Sequence, residues 1–450
     1  MGRKKKRSRL GLVSLGCAKN EVDAERILGS AAEKGWIVCA DPAAADVVVV
    51  NTCGFIAAAR EECRVAIEDM LDLKRTGRCR AVIVSGCLAQ RSGGALAQEL
   101  PEVDAWVGLA EARNIPDIAA ELLRRSTHDP CVRVEAVPST FGEEGARLRI
   151  TPPHYAYLRI TEGCDNGCSY CAIPLIRGPL RSKPIDTCVA EARDLVAGGC
   201  RELILIAQDT TNYGRDTCGG HDPWRPDSTP TGARRPTPSR GRVSASGHGE
   251  PRLPALLDAL AAVEGIRWLR LLYAHPAHFT DATLDAFARH PQLCHYIDLP
   301  IQHASDPVLE RMGRGTTRAA MAGLFARVRD RMPDAVLRTT ALVGYPGETE
   351  ADFAALIDFV EAVEFDRLGA FAYSEEEGTR ALDDGPEVPE HVRDARLDEL
   401  LRRQQPIAFR KAAARVGTTC DVVLDACLGD GAFAGRSTAE APDVDGILRV

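Results

Sequence analysis

The sequence predicts an α/β protein in three parts: an N-terminal parallel α/β domain, a central partial (βα)6 barrel and a small antiparallel β segment at the end. Strand and helix patterns alternate over residues 10–125 and again over 156–373, and such alternation closes into parallel sheets faced by helices. Short strand-like runs follow from about residue 416, the pattern of a small β unit. At 450 residues the chain has length for about three domains.

Taking the elements in order, residues 10–15 form an apolar strand, 21–34 carry helical periodicity, and 36–39 make a short strand. Residues 46–51 contain four consecutive valines, the mark of a strand buried on both faces. Helix 60–74 and buried strand 81–85 complete the first domain, assigned to residues 10–125. Residues 126–154, with Pro130, Pro138, Pro152 and Pro153, read as a linker. The barrel, residues 155–385, draws its strands from 157–160, 203–207, 268–273, 296–299, 337–343 and 367–371, with helices such as 186–197 and 352–363 between them. Residues 215–252 interrupt it with six prolines and a single aromatic, Trp224. Such a composition buries too little apolar surface to offset chain entropy, so this is a disordered insertion. Cys218, His221 and His248 within it lack metal-ligand spacing. Residues 386–450 hold a charged helix near 392–405 and strands at 419–426, 432–436 and 446–450. The last ends in an apolar strand, so the small domain reads as truncated.

Net charge is −8 and 45% of residues are hydrophobic, so most of the surface will not attract polyanions. No apolar run approaches the roughly 20 residues that span a bilayer, and no signal-peptide core follows the basic start. The expectation is a cytoplasmic protein without membrane contact. The run Arg3-Lys4-Lys5-Lys6-Arg7 reads as a solvated tail rather than a nucleic-acid contact.

The chemistry is concentrated in the sixteen cysteines. Cys164-Asp165-Asn166-Gly167-Cys168-Ser169-Tyr170-Cys171 follows the first barrel strand, and sites in such barrels lie at the carboxyl ends of the strands. Three thiolates so spaced hold three irons of a cubane cluster and leave the fourth open for chemistry. Zinc fits less well, because no fourth Cys or His follows at the usual distance. Cys17, Cys53 and Cys87 sit after three strands of the first domain, where loops of a parallel sheet open on one edge. They form either a second three-cysteine site or three unrelated half-buried thiols. Cys39, Cys63, Cys188, Cys200 and Cys294 lie in apolar or helical patterns and read as inert buried thiols. Gln208-Asp209-Thr210 and Gly344-Tyr345-Pro346-Gly347-Glu348-Thr349 occupy two further strand ends. The second reads equally as cofactor contact or as a tight turn opening a helix.

The Cys164–Cys171 run, with an aromatic before the last cysteine, resembles the signature of radical S-adenosylmethionine (SAM) enzymes. That resemblance implies a 4Fe–4S cluster on Cys164, Cys168 and Cys171 whose open iron binds SAM, with Tyr170 against the adenine or merely against a neighbouring loop. Val13-Ser14-Leu15-Gly16-Cys17-Ala18-Lys19-Asn20, Asn51-Thr52-Cys53-Gly54-Phe55-Ile56 and Ser85-Gly86-Cys87-Leu88-Ala89-Gln90 are similar to the N-terminal domain of the methylthiotransferases. In that family the three cysteines hold an auxiliary 4Fe–4S cluster that carries the transferred sulfur. The C-terminal strands resemble the start of a TRAM barrel.

Within the methylthiotransferases, three stretches resemble the branch that modifies an aspartate of ribosomal protein uS12. They are Gln302-His303-Ala304-Ser305, the acidic run Ser374-Glu375-Glu376-Glu377-Gly378-Thr379, and Gly435 to Gly446. From 410 to 450 there are five basic and six acidic residues, a net of −1, where a tRNA-binding domain needs a basic face. A basic ribosomal protein suits it better. The resemblance implies methylthio transfer to the β-carbon of an aspartate of uS12, free or in the small subunit. One SAM would be methyl donor and another radical source, with flavodoxin or ferredoxin as electron donor. The alternatives are a tRNA adenosine methylthiotransferase and, in another class, a two-cluster electron-transfer protein.

Overall fold

A computed structural model of the chain describes residues 7–125, 129–142, 145–217 and 252–450. Residues 3–6 of the basic run and all but the ends of the 215–252 insertion, with Cys218, His221 and His248, lie outside the described residues.

The first domain runs β1 (Arg9–Ser14), α1 (Ala18–Glu33), β2 (Ile37–Cys39), β3 (Val47–Thr52), α2 (Ala57–Thr76), β4 (Ala81–Gly86), α3 (Cys87–Glu99), β5 (Ala105–Val107), α4 (Ile115–Leu122) and β6 (Cys131–Arg133). Its six strands pair in the order β2-β1-β3-β4-β5-β6, every pair parallel. Alternation along a strand divides the core. Val48, Val50, Val82 and Val84 pack with α2 and α3 residues on one face, and Val47, Val49, Ala81 and Ile83 with α1 and α4 residues on the other. The reading of 126–154 as a linker missed β6, which adds to the sheet edge beside β5. Its middle residue, Val132, is exposed, so no buried apolar run marks it in the sequence.

The second part runs β7 (Tyr155–Arg159), β8 (Thr161–Glu162), α5 (Ile173–Arg177), β9 (Arg181–Ser182), α6 (Ile185–Ala197), β10 (Glu202–Ile206), α7 (Leu253–Ala261), β11 (Trp268–Leu271), α8 (Asp281–Arg289), β12 (Tyr296–Asp298), α9 (Asp306–Arg311), α10 (Arg318–Arg331), β13 (Val336–Val343), α11 (Glu350–Val363) and β14 (Arg367–Ala372). The six long strands form two parallel half-sheets, β7-β10-β11 and β12-β13-β14, joined by a parallel bridge from Leu269 to Leu293. This is an open (βα)6 barrel. Leu158, Leu205, Leu271, Ile297 and Leu337 share one core with the helices around it.

Helix α12 (Glu390–Ala414) leads to the antiparallel β15 (Val423–Gly429), β16 (Ala432–Arg436) and β17 (Leu448–Arg449). Buried charges dock this sheet on the barrel. Arg436 pairs with Glu202 at 2.8 Å and Asp425 at 2.8 Å, and Arg270 bonds both Glu202 and the Thr438 carbonyl at 2.9 Å.

Candidate active site at two cysteine clusters

The turn into Cys164 depends on Gly163. Its φ is +69°, and a Cβ there would meet the Pro179 carbonyl oxygen at 2.0 Å, so no L side chain fits. The Cys164 N–H donates to Gly178 O at 3.1 Å and Cys171 N–H to Cys168 O at 3.2 Å, closing the loop on itself. Asn166 anchors it: its N–H lies 3.4 Å from Cys164 Sγ and its Nδ2 donates to Asp209 at 2.7 Å. Arg314 Nη1 approaches Cys168 Sγ at 3.5 Å and Tyr170 Oη at 3.4 Å, while Nη2 donates to Pro300 O at 2.6 Å.

The three thiols act electrostatically on one another. Burial, then Asp209 and Cys171, hold the Cys164 thiol well above its ordinary value, and burial with Cys168 pushes Cys171 up to about 12. Such thiols ionise only when a metal takes the proton's place. Tyr170 packs beside Val308, Met312 and Tyr345, so it has protein neighbours whatever it does with a ligand.

Cys17, Cys53 and Cys87 follow β1, β3 and β4, three adjacent strands that end on the same edge. Asn20 ties these loops together. Its Nδ2 donates to Leu15 O at 2.9 Å and Thr52 O at 3.0 Å, and its Oδ1 accepts from Arg177 at 2.9 Å while lying 3.7 Å from Cys87 Sγ. Burial, opposed by Arg177, pushes Cys87 up to about 11. At Cys17, which is exposed, desolvation by the surrounding loops is outweighed by Lys19 and Arg177, and its thiol falls below the ordinary value. Nothing in the sequence pattern pointed to Arg177, fully buried on α5 and paired with Glu162 and Asp23.

The two cysteine groups meet through one apolar contact. Cys87 packs with Ala172, the residue after Cys171, and with Ile176. Cys63, read as an inert thiol, lies beside the first group: it accepts from the Cys53 N–H at 3.2 Å and sits 3.3 Å from Cys53 O. Burial drives it up to about 12. Cys188, Cys200 and Cys294 are buried as expected, whereas Cys39 is only half-buried on the short β2.

At the other strand ends, Asp209 also accepts from His278 Nδ1 at 2.8 Å, and His278 stacks on His275 with ring centroids 4.7 Å apart. The Ala277 N–H donates to His275 Nδ1 at 3.2 Å. Neutral His275 therefore carries its proton on Nε2, which gives a bound ligand a donor rather than a metal a lone pair. Both side-chain polar atoms of Gln208 are buried without a partner among the described residues. An orphaned amide beside the cluster loop fits a polar cofactor there.

The 344–349 loop is a tight turn: Glu348 accepts the Gly344 and Tyr345 N–H groups at 2.7 and 3.1 Å, and Thr349 with Asp352 forms a capping box on α11. It also touches the cluster loop, since Tyr345 Oη lies 2.6 Å from Ser169 Oγ. His303 is enclosed by Ser305 N at 3.0 Å and Glu348 at 3.6 Å. A cavity of about 370 Å³ opens beside Cys17, lined by Glu21, Tyr157, Tyr273, Asp443 and Val444 among others.

Residues 9–108 match the uncharacterized protein family UPF0004 and residues 158–360 the radical SAM superfamily. Among curated proteins the chain is similar to ribosomal protein uS12 methylthiotransferase RimO of Geobacter sulfurreducens, 42% identical over 447 residues, covering 99% of this chain and 93% of that protein. It is equally similar to RimO of Anaeromyxobacter sp., at 42% identity over 98% of this chain and 87% of that protein. The radical SAM methyltransferase TsrM of Kitasatospora setae shares the fold at TM-score 0.55 and 15% identity, with 94% of this chain and 79% of that one covered.

Proposed function

The chain belongs to the RimO family of ribosomal protein uS12 methylthiotransferases, and from that premise we propose how its residues divide the work. It is a radical-SAM methylthiotransferase acting on uS12, with SAM and 4Fe–4S clusters as cofactors. Cys164, Cys168 and Cys171 hold the cluster that binds SAM, and Cys17, Cys53 and Cys87 hold the auxiliary cluster. When bound, these groups supply a 5'-deoxyadenosyl radical, a sulfur atom and a methyl group for transfer to the β-carbon of an aspartate. The observation that supports this division is the placement of Cys17, Cys53 and Cys87 at the ends of three adjacent strands, with Cys87 packed on Ala172 beside the Cys164–Cys171 loop.

The chain's own residues bind, orient and hold charge. Asn166 and Asp209 fix the loop of the first triad, Gln208 and the His275 Nε2–H offer polar groups to SAM, and Tyr170 borders the same site. Arg314 places a cation beside Cys168 and Arg177 places one near Cys87, each opposing the build-up of negative charge on a cluster. The cavity beside Cys17 is the entrance for the substrate loop, where Asp443 suits a basic ribosomal protein. Electrons come from a donor of the flavodoxin or ferredoxin kind. Among the described residues no helix is long and apolar enough to cross a membrane, in keeping with a cytoplasmic substrate.

Anaerobic reconstitution with iron and acid-labile sulfide analysis tests the assignment. Wild type should hold about eight irons, and the Cys164→Ala/Cys168→Ala/Cys171→Ala variant about four. Mass spectrometry of uS12 incubated with each should detect the methylthio group only with wild type. A wild type with about four irons would remove the auxiliary cluster from the reading.

A further inference from the structure

The loop that follows the last barrel strand touches both cysteine groups. Within the acidic run, Glu375 and Glu377 are exposed, but Glu376 is only 1% exposed. Its carboxylate accepts from Arg60, from Arg91 Nη1 at 2.7 Å, from the Ala57 N–H at 3.0 Å and from Ser374 Oγ at 3.1 Å. Ala57 opens α2, just past Cys53, and Arg91 lies one turn beyond Cys87 on α3. Arg91 also donates to Gly54 O at 2.9 Å and to Glu377 O at 3.1 Å. A charge buried to this degree is retained only where its partners are fixed. Here those partners lie on the helix that follows Cys53 and on the helix that begins at Cys87.

Four residues further on, the same loop grips the other group. The Arg380 and Ala381 N–H groups both donate to Ser169 O, at 3.0 and 3.1 Å, and Arg380 Nη2 donates to Gly167 O at 2.7 Å. Gly167 and Ser169 flank Cys168. Thus residues 376–381 span from the Cys53 and Cys87 elements to the Cys168 loop in one short piece of backbone.

We propose that segment 376–381 is the ruler that sets the separation between the two clusters, with Glu376 as its positioning residue at the auxiliary end. This rests on the two-cluster reading above. Hydrogen abstraction and sulfur capture must occur at one carbon, and a shift of about 1 Å between reacting groups costs up to about a hundredfold in rate. A fixed spacer between the domains is what such a reaction requires. The charge pattern of this run, read from sequence as a mark of the protein substrate, is for Glu376 an internal contact.

Two variants test the ruler from different ends: Glu376→Gln, and an insertion of two glycines after Gly378, which breaks the turn that Thr379 closes on the Glu376 carbonyl but leaves the partners of the Glu376 carboxylate in place. Glu33→Gln, at an exposed position at the end of α1, is the control. Each is reconstituted anaerobically, assayed for iron, reduced, and examined by electron paramagnetic resonance for magnetic coupling between the clusters. 5'-Deoxyadenosine and methylthiolated uS12 are then counted. With iron at the wild-type level, both test variants should show altered coupling and a ratio of 5'-deoxyadenosine to product raised about tenfold to a hundredfold, with the control unchanged. If Glu376→Gln sheds iron, the insertion decides alone. Wild-type coupling and ratio in a fully loaded insertion variant would overturn the ruler. A wild type that binds only about four irons would overturn the two-cluster reading instead.

Discussion

Asn20 offers the sharpest test of how the auxiliary site is built, because one amide holds three of its walls. Asn20→Ala removes two donated bonds, to Leu15 O and Thr52 O, and the bond accepted from Arg177. Arg177 keeps Glu162 and Asp23, so the main losses are the two carbonyls, each worth about 1–1.5 kcal/mol, with a smaller term for the guanidinium. The sum is about 3 kcal/mol, or about a hundredfold in an equilibrium constant. In the Cys164→Ala/Cys168→Ala/Cys171→Ala background only the auxiliary site binds iron, so loss of its iron to a chelator can be followed by absorbance. Asn20→Ala should weaken retention about a hundredfold. Asn20→Asp should do no better, because a carboxylate keeps Arg177 but cannot donate to either carbonyl. Retention within about twofold of the parent in the alanine variant would refute Asn20 as the tie, since twofold is only about 0.4 kcal/mol.

Gly163→Ala should abolish the radical-site cluster while sparing the auxiliary one, since its Cβ would sit 2.0 Å from the Pro179 oxygen; iron analysis should read about four. Desolvation, then Glu25 and Asp443, raise the Glu21 carboxyl to about 7. The folded protein therefore holds a proton that the unfolded chain releases above its ordinary value of 4.5, and this group's contribution to stability falls as pH rises from about 4.5 to about 7. Glu21→Gln should remove that slope and raise the denaturation midpoint at pH 8, measured by urea titration. Arg436→Met leaves Asp425 without its guanidinium partner and Glu202 with Arg270 alone. It should cost about 3–5 kcal/mol, with the C-terminal sheet becoming the first region open to limited proteolysis.

Strong periods and glycine-flanked cysteines made much of the fold readable. The valine strand Val47–Thr52 is central and wholly buried, and each of Cys17, Cys53 and Cys87 sits where a parallel strand ends. β5 and β6 escaped although β2 and β12, equally short, were found; they are set by pairing with the neighbouring strand. The site residues that escaped are those defined only by tertiary contact. Arg177 lies on a five-residue helix, and nothing local marks it as the cation beside Cys87. Asn20 stood inside a quoted motif, yet its role depends on carbonyls from β1 and β3 that the chain brings together only on folding.

Glu376 shows the limit of charge counting. Three consecutive glutamates have the same composition whether they face solvent or not, and the run gave no reason to separate the middle one. The fold separates it: its neighbours point to solvent while its own carboxylate meets Arg60 and Arg91 across the domain boundary. Substrate preference drawn from this run can thus rest only on Glu375 and Glu377, whose side chains remain available to a partner. A basic residue at 376 would face Arg60 and Arg91 as a like charge, so any chain with a cation there must hold its auxiliary domain by other contacts.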